Sequence, residues 1–281
     1  MTHPSETIRK RYSCRSYDPK PVEMPVLQRL MEAVSTPQVG PFGNRPRFHL
    51  MSMDNLSRED WKDLGTYGVI KNARLFLAGA ISPAPMALED YGFCKEKLIL
   101  KATELGLNTC WLGGTFAKSA FERAACLNPN ELLPTVAAVG YAAKQKSLTD
   151  RLMRGIAGST SRLPWGKLFF SGNPQTALSP EEAGPFQEAL ENVRRAPSAS
   201  NRQPWRIVYQ KDSKTFLFYL SRTAGYRYLC SVSLQDIDMG IAMSHFDLTM
   251  SALNLPGRWR INAAAPPIRS WEYIAEWQPE F

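Results

Sequence analysis

The sequence predicts an α+β fold built from two similar halves that pair within one chain. Two recurrences and a set of strand signals predict it. A helix, an Asn-containing turn and a strand run from Val26–Val34 through Asn44-Arg45-Pro46 to Phe48–Leu50. The same order returns as Phe186–Val193, Asn201-Arg202-Gln203-Pro204 and Trp205–Val208, an offset of 157 (201 − 44). A long amphipathic helix followed by Trp occurs first from Lys95 to Leu107 with Trp111, then from Asp236 to Leu255 with Trp259, an offset of 148 (259 − 111). Strand signals lie between the recurring parts in both halves.

Met239, Met243, Phe246, Met250 and Leu253 recur at spacings of 4, 3, 4 and 3, one face of a helix. This stripe reads as core that buries the second long helix between the halves. Phe48–Met53 and Ala73–Ala80 read as strands of the first half. Arg206–Gln210 and Thr215–Ser221 flank Lys211-Asp212-Ser213-Lys214 and read as a hairpin. Val136–Ala142 and Trp271–Trp277, rich in β-branched or aromatic residues, close the two halves. The stretch Ser147–Glu182, with Gly155, Gly158, Gly166, Gly172, Pro164, Pro174 and Pro180, reads as a long crossing connection. The expected units are 1–155 and 156–281, pairing about a pseudo-twofold axis like a homodimer made from one chain.

Of the 281 residues, 34 are Lys or Arg and 26 are Asp or Glu, a net charge of +8, and 44% are hydrophobic. That apolar content suits a folded soluble chain rather than a disordered one. No apolar run reaches the ~18 residues of a membrane helix, and the first residues lack the apolar core of a secretory leader. A cytoplasmic location is expected. The basic residues form short groups beside apolar sequence, which suits a discrete anion or a solvated face better than a nucleic acid. Cys14, Cys94, Cys110, Cys126 and Cys230 are odd in number and form no C-x-x-C pair, against both a disulfide framework and a structural zinc site. His3, His49 and His245 are scattered, and His245, among Met243, Phe246 and Leu248, reads as a packed helical histidine.

Three segments could carry chemistry. In Arg11-Tyr12-Ser13-Cys14-Arg15, alternate side chains of an extended chain point to one side, so two guanidinium forks flank a hydroxyl. That set suits a phosphate monoester; a solvated basic arm would use the same residues. In Ala196-Pro197-Ser198-Ala199-Ser200-Asn201-Arg202-Gln203-Pro204-Trp205, small residues allow a flat ligand to approach, and Ser198, Ser200, Asn201 and Gln203 supply donors and acceptors. A helix-to-strand turn satisfying its own backbone is the other reading. In Trp111-Leu112-Gly113-Gly114-Thr115-Phe116, paired glycines permit close backbone approach and positive φ, as would a plain helix-end turn. Lys144, Lys146 and Arg151 could add charge to a phosphate site or lie on the surface. Tyr67-Gly68 and Lys71 could line a substrate side or form an ordinary turn.

Together and in this order, the three segments resemble the FMN-dependent nitroreductase family. Arg11-x-Ser13-x-Arg15 followed by Pro21-Val22 and a helix looks like its opening motif, Ala196-Pro-Ser-Ala-Ser-Asn-x-Gln-Pro-Trp205 like its internal signature, and Leu105–Gly114 like its glycine turn. The doubled arrangement is similar to a fused branch in which one chain replaces the dimer. The resemblance implies FMN between the halves. Arg11, Tyr12, Ser13 and Arg15 would hold its phosphate, with Tyr12 standing where the family has a second arginine. Pro197, Ser198, Ala199, Ser200, Asn201 and Gln203 would line the flavin, and Gly113 and Gly114 would approach its ring. It further implies NADH or NADPH as donor, a small-molecule acceptor, ping-pong hydride transfer, and no side-chain nucleophile or metal. The first half has Gln38–Asn44 where the second has Pro197–Asn201, and the second has Arg162-Leu-Pro-Trp-Gly-Lys167 where the first has Arg11–Arg15. Each half has thus lost one motif, so one FMN site per chain is expected. A flavin-binding protein without turnover, acting as scaffold, sensor or reservoir, is the alternative.

Overall fold

The computed structural model describes residues 2–52, 70–114, 116, 121–123, 125–144, 161–225 and 232–280. The expected boundary at 155/156 and the candidates Tyr67, Gly68, Lys146 and Arg151 lie outside these residues.

The first half contains α1 (Pro4–Lys10), α2 (Met24–Ser35), β1 (Arg47–Ser52), β2 (Leu75–Ala80), α3 (Ala87–Glu104), β3 (Asn108–Leu112) and β4 (Val136–Gly140). The second contains β5 (Phe169–Ser171), α4 (Gln187–Arg195), β6 (Trp205–Gln210), β7 (Thr215–Leu220), α5 (Leu234–Ala252), β8 (Gly257–Arg260) and β9 (Glu272–Pro279). The sheet orders are β1-β2-β4-β3 and β5-β6-β7-β9-β8. Without β5, the two orders are the same when α2-β1-β2-α3-β3-β4 is laid on α4-β6-β7-α5-β8-β9. The duplication expected from the sequence is therefore present element by element.

The inner strands explain their own composition. β2 (LFLAGA) and β7 (TFLFYL) are buried at every position, as strands covered on both faces must be. The β6–β7 hairpin pairs Trp205 with Leu220 and Gln210 with Thr215, around the Lys211–Lys214 turn in which Lys214 adopts φ 50°.

The long helices α3 and α5 cross at two glycines. A Cβ at Gly92 would stand 2.2 Å from the Ile237 carbonyl oxygen, and one at Gly240 would stand 1.9 Å from that of Glu89. Gly240 is Gly92 plus 148, and Ile237 is Glu89 plus 148. The contact is reciprocal, the signature of a twofold interface, and it carries the same offset as the tryptophan pair.

Three expectations are corrected. Both long helices start earlier than the sequence reading placed them, at Ala87 and Leu234. In the Met-rich stripe of α5, Phe246 packs on Phe216, Phe218, Trp259 and Trp277 of its own half. The face of α5 that meets the other half is the one carrying Ile237 and Gly240, where small size rather than bulk sets the approach. The connecting segment is not structureless either: Phe169–Ser171 pairs in parallel with β6 as an edge strand, and Ser179 with Glu182 forms a capping box on the short turn that follows.

The outer faces of the two sheets are covered differently. On the first, Cys14, Tyr17, Phe116, Phe121 and Leu133 bury the strands. On the second, a smaller cluster of Phe170, Val208, Leu217 and Tyr219 borders a groove of about 510 Å³ whose lining includes Pro266, Pro267 and Trp271.

Candidate active site at the junction of the halves

The opening arm is built into the first sheet. Ser13 bridges Thr109 of β3, and the Cys14 N–H donates to the Thr109 carbonyl at 2.9 Å. On its other side the Lys71 N–H donates to the Arg15 carbonyl (2.8 Å) and the Tyr17 N–H to the Lys71 carbonyl (3.0 Å). Lys71 thus holds the arm through its backbone. Cys14, Ser16 and Tyr17 are buried, while Arg11, Ser13 and Arg15 are only half-buried. The arm is paired into the sheet rather than freely solvated.

Arg11 follows α1 and closes it through its N–H to the Thr7 carbonyl. Its Nε is buried and has no hydrogen-bond partner. Burial lowers its pKa from the ordinary arginine value, and the nearby Glu96 carboxylate acts against that shift. Thr109 Oγ1, beside the arm, is likewise buried without a partner. Buried polar atoms are seldom left so, and such groups call for an explanation.

The glycine turn follows β3 directly, so arm and turn are parts of one strand edge. Gly113 has no positive φ, contrary to one use expected for it. Its need is space: a Cβ there would lie 2.6 Å from Leu234 Cδ1, in the first turn of α5. The turn therefore sits against the second half.

The small-residue loop reaches the same end of α5. The Ala199 N–H donates to Asp238 Oδ1 at 2.9 Å, and Asp238 lies one helical turn beyond Leu234. The Gln203 N–H donates to Ser198 Oγ (2.9 Å), and Gln203 Nε2 donates to the Asn201 carbonyl (3.1 Å). Ser200, Asn201 and Gln203 take φ values of 49°, 54° and 49°, a left-handed backbone uncommon outside glycine. Asp238 Oδ2 is buried with no partner, and burial raises the pKa of this carboxyl well above the aspartate range.

Beneath the junction runs a buried polar chain that crosses between the halves. Glu96 accepts from Trp111 Nε1 through one oxygen, and its other oxygen lies 2.9 Å from His245 Nε2. His245 Nδ1 faces the Asn192 carbonyl at 2.9 Å. That carbonyl can only accept, so the Nδ1 contact is a donation from the ring. Asn192 Nδ2 donates to Ser5 Oγ (2.6 Å) and Thr249 Oγ1 (2.9 Å). His245 is the packed helical histidine expected, and it also ties α5 to α3. Lys95, fully buried, donates to the Thr135 carbonyl and hydroxyl at 2.8 and 2.9 Å. Its pKa is pushed well down by burial.

The glycine turn, which lies beside the arm on β3, and the small-residue loop thus reach the same end of α5. The sequence reading missed the anchors Asp90 and Asp238, and also Glu96. A signal for the first two was present: Asp90-Tyr-Gly92 and Asp238-Met-Gly240 stand 148 residues apart. Among the described residues no group of three or more His, Cys, Asp or Glu could hold a metal. Among the described residues, Cys14, Cys94, Cys110 and Cys126 form no disulfide, while Cys230 lies outside them. No helix among them is long and apolar enough to cross a membrane.

A family model described as "Putative TM nitroreductase" matches residues 5–250. The chain belongs to this nitroreductase family. Membership makes it an oxidoreductase. A crystal structure described as a "putative nitroreductase", from Thermotoga maritima MSB8, is similar at 18% identity with a TM-score of 0.60, covering 99% of this chain and 93% of that one. That likeness spans both halves of the nitroreductase described here, and it shows the fold. A nitroreductase with bound FMN from Desulfitobacterium hafniense DCB-2 aligns at 19% identity over 52% of this chain and 92% of its own, TM-score 0.42. Another with bound FMN, from Bacteroides fragilis NCTC 9343, aligns at 20% over 53% and 92%, TM-score 0.41. No curated protein matches the chain.

Proposed function

We propose that this nitroreductase is an FMN-dependent oxidoreductase, with one flavin per chain between the units 1–155 and 156–281. It takes hydride from NADH or NADPH and delivers it to a small-molecule acceptor in ping-pong fashion. The observation that supports this reading is that the glycine turn beside the arginine arm of the first half and the small-residue loop of the second both lie against the first turns of α5. The residues fit such a cofactor. Arg11, in the arm, has a buried Nε without a partner, a donor that a phosphate oxygen would satisfy.

In this reading Arg11, Ser13 and Arg15 bind the phosphate and Tyr12 flanks it. Pro197, Ser198, Ala199, Ser200, Asn201 and Gln203 line the flavin, and Gly113 and Gly114 approach its ring. When bound, the flavin supplies the two-electron chemistry, and the protein supplies position and charge. Backbone N–H groups at Gly113 and Gly114 and the Asn201 amide stand as donors for negative charge on the pyrimidine edge. The two halves being joined, the chain works as a monomer in the cytoplasm.

Protein loaded with FMN should lose its yellow absorbance when NADH or NADPH is added without oxygen. Colour that persists with both would point to a binder without turnover, and failure to take up FMN would reject the reading. Arg15→Ala should lower the flavin content while leaving the thermal midpoint of the apo-protein within a few degrees. Full occupancy in this variant would refute the phosphate assignment.

A further inference from the structure

Trp111 stands two residues before Gly113, so the two positions share one face of the strand. That face looks toward the long helices. The indole reaches α3, and the missing side chain at Gly113 leaves the backbone against Leu234 of α5. A glycine has no side chain by which to be held. The nearest side chain upstream on its face therefore fixes where the turn begins.

Two successive residues of α3 seize that side chain. Glu96 accepts from the indole N–H at 2.9 Å, and Lys95 Nζ stands over the ring, 4.7 Å from its centroid. Both are themselves held. Lys95 donates to Thr135 at the entry to β4 (2.8 and 2.9 Å), and the second oxygen of Glu96 meets His245 of α5 at 2.9 Å. Lys95, Glu96 and His245 are entirely buried. A ring gripped at edge and face by groups with no water to turn to keeps one position.

The second half repeats the plan without the burial. Trp259, 148 residues on, donates to Asp247 of α5 at 3.1 Å, and Asp247 faces Lys97 of α3 at 3.7 Å. Lys97 is the counterpart of His245 (245 − 97 = 148). This ion pair is partly open to water, where such contacts hold weakly. Ile261 and Asn262 follow Trp259 in place of the two glycines, and Ile261 is exposed. The dry anchor thus accompanies the glycine turn, and the wet one belongs to the half without it.

We propose that Glu96 is a positioning residue: by holding Trp111 it fixes the glycine turn, and with it the backbone N–H groups offered to the flavin's pyrimidine edge. The proposal rests on the flavin reading above. A turn that drifts costs the reduced, negatively charged flavin more than the oxidised one, because hydrogen bonds to charge are the stronger.

The test is the midpoint potential of FMN bound to the full chain, with urea unfolding of the apo-protein alongside. Trp111→Phe keeps a ring and removes the N–H, and Glu96→Ala removes the acceptor. Each should weaken the hold on reduced relative to oxidised FMN about tenfold, a potential about 30 mV more negative for a two-electron couple. Glu96→Gln keeps an oxygen for the indole and turns an amide toward His245. It should hold the potential at the wild-type value or above it, since losing a negative charge favours the reduced form. Trp259→Phe, in the other half, should leave the potential unmoved whatever it costs in stability. Lowered stability with an unmoved potential in Trp111→Phe would mean that the anchor serves the fold alone. A fall with Gln as deep as with Ala would mean that the hydrogen bond to Trp111 is not the cause. A fall with Trp259→Phe as deep as with Trp111→Phe would mean that the effect is not local. Any of these overturns the proposal. If Glu96→Ala does not fold, Trp111→Phe and Glu96→Gln decide it. Wild-type protein that takes up no FMN would reject the flavin reading itself, and the proposal with it.

Discussion

The loops after α2 and α4 hang from equivalent aspartates, yet only one of them is fully satisfied. Asp90 accepts from the Phe42 N–H (3.0 Å), the Asn44 N–H (2.9 Å) and Asn44 Nδ2 (2.9 Å), using both carboxylate oxygens. Asp238, 148 residues on, accepts from the Ala199 N–H, the counterpart of Phe42, while its Oδ2 stays buried without a partner. In the first loop a Cβ at Gly40 would collide with Asp90, so backbone lies flat on the carboxylate. In the second, Pro197 takes the place of Gly40, and Ser200, Asn201 and Gln203 are held left-handed. The closed loop has the economy of a structural turn. The open one keeps strain and an unmet polar atom, as expected where a fold gives up stability to prepare a site.

The pseudo-twofold axis that makes this comparison valid can be broken at its centre. Gly240→Ala and Gly92→Ala each drive a methyl into a main-chain carbonyl of the facing helix. Each should cost about 3 kcal/mol, read from urea unfolding at constant slope. Tolerance of one but not the other would mean that the helix crossing is not reciprocal.

Next in size is a pH effect at Glu89, whose counterpart in the second half is the untitratable Ile237. Glu89 faces the second half at the place where Ile237 faces the first. Burial, then Asp236 and Asp90, raise its carboxyl to about 7 from 4.5, with Arg222 opposing. A pKa raised on folding means that the native state binds the proton more tightly. The stabilisation is complete below pH 4.5 and is lost as pH rises to about 7. It amounts to about 3 kcal/mol at most. Glu89→Gln should flatten unfolding free energy across that window, and an unaltered slope would exclude Glu89 as its source.

The smallest effect separates the loops themselves. Asp90→Asn puts an amide against donors and should cost about 2 kcal/mol. Asp238→Asn keeps one acceptor for Ala199 and removes a charge that burial disfavours, so its cost should stay within about 0.5 kcal/mol. Thermal unfolding of the two variants side by side makes the measurement. Equal losses would erase the distinction between a closed loop and an open one.

Much of this organisation was legible because the chain states it twice. The hairpin at Lys211–Lys214, the buried strands and the three site segments carry local signals of turn chemistry, alternation and small-residue density. What stayed hidden depends on partners distant in sequence. The start of α3 was obscured because Glu89, Asp90 and Lys95 break its apolar pattern, although all three are buried; Asp90 is acceptable there only through Phe42 and Asn44, and Lys95 only through Thr135. Phe169–Ser171 is too short to show a period, and it becomes a strand by pairing with β6 more than 30 residues later. Arg162 looked like what was left of a lost motif, since nothing local announces its bonds to Asn201 and Arg195.

The buried contact between Glu96 and His245 has one more consequence. In two identical subunits any contact off the axis must occur twice, so a favourable pairing carries its mirror copy with it. Here the positions that would hold the copy are Ser244 and Lys97, which could not form it. Joining the subunits end to end freed evolution from writing every change in duplicate, and this buried bridge is a piece of handedness that a true homodimer could not have kept.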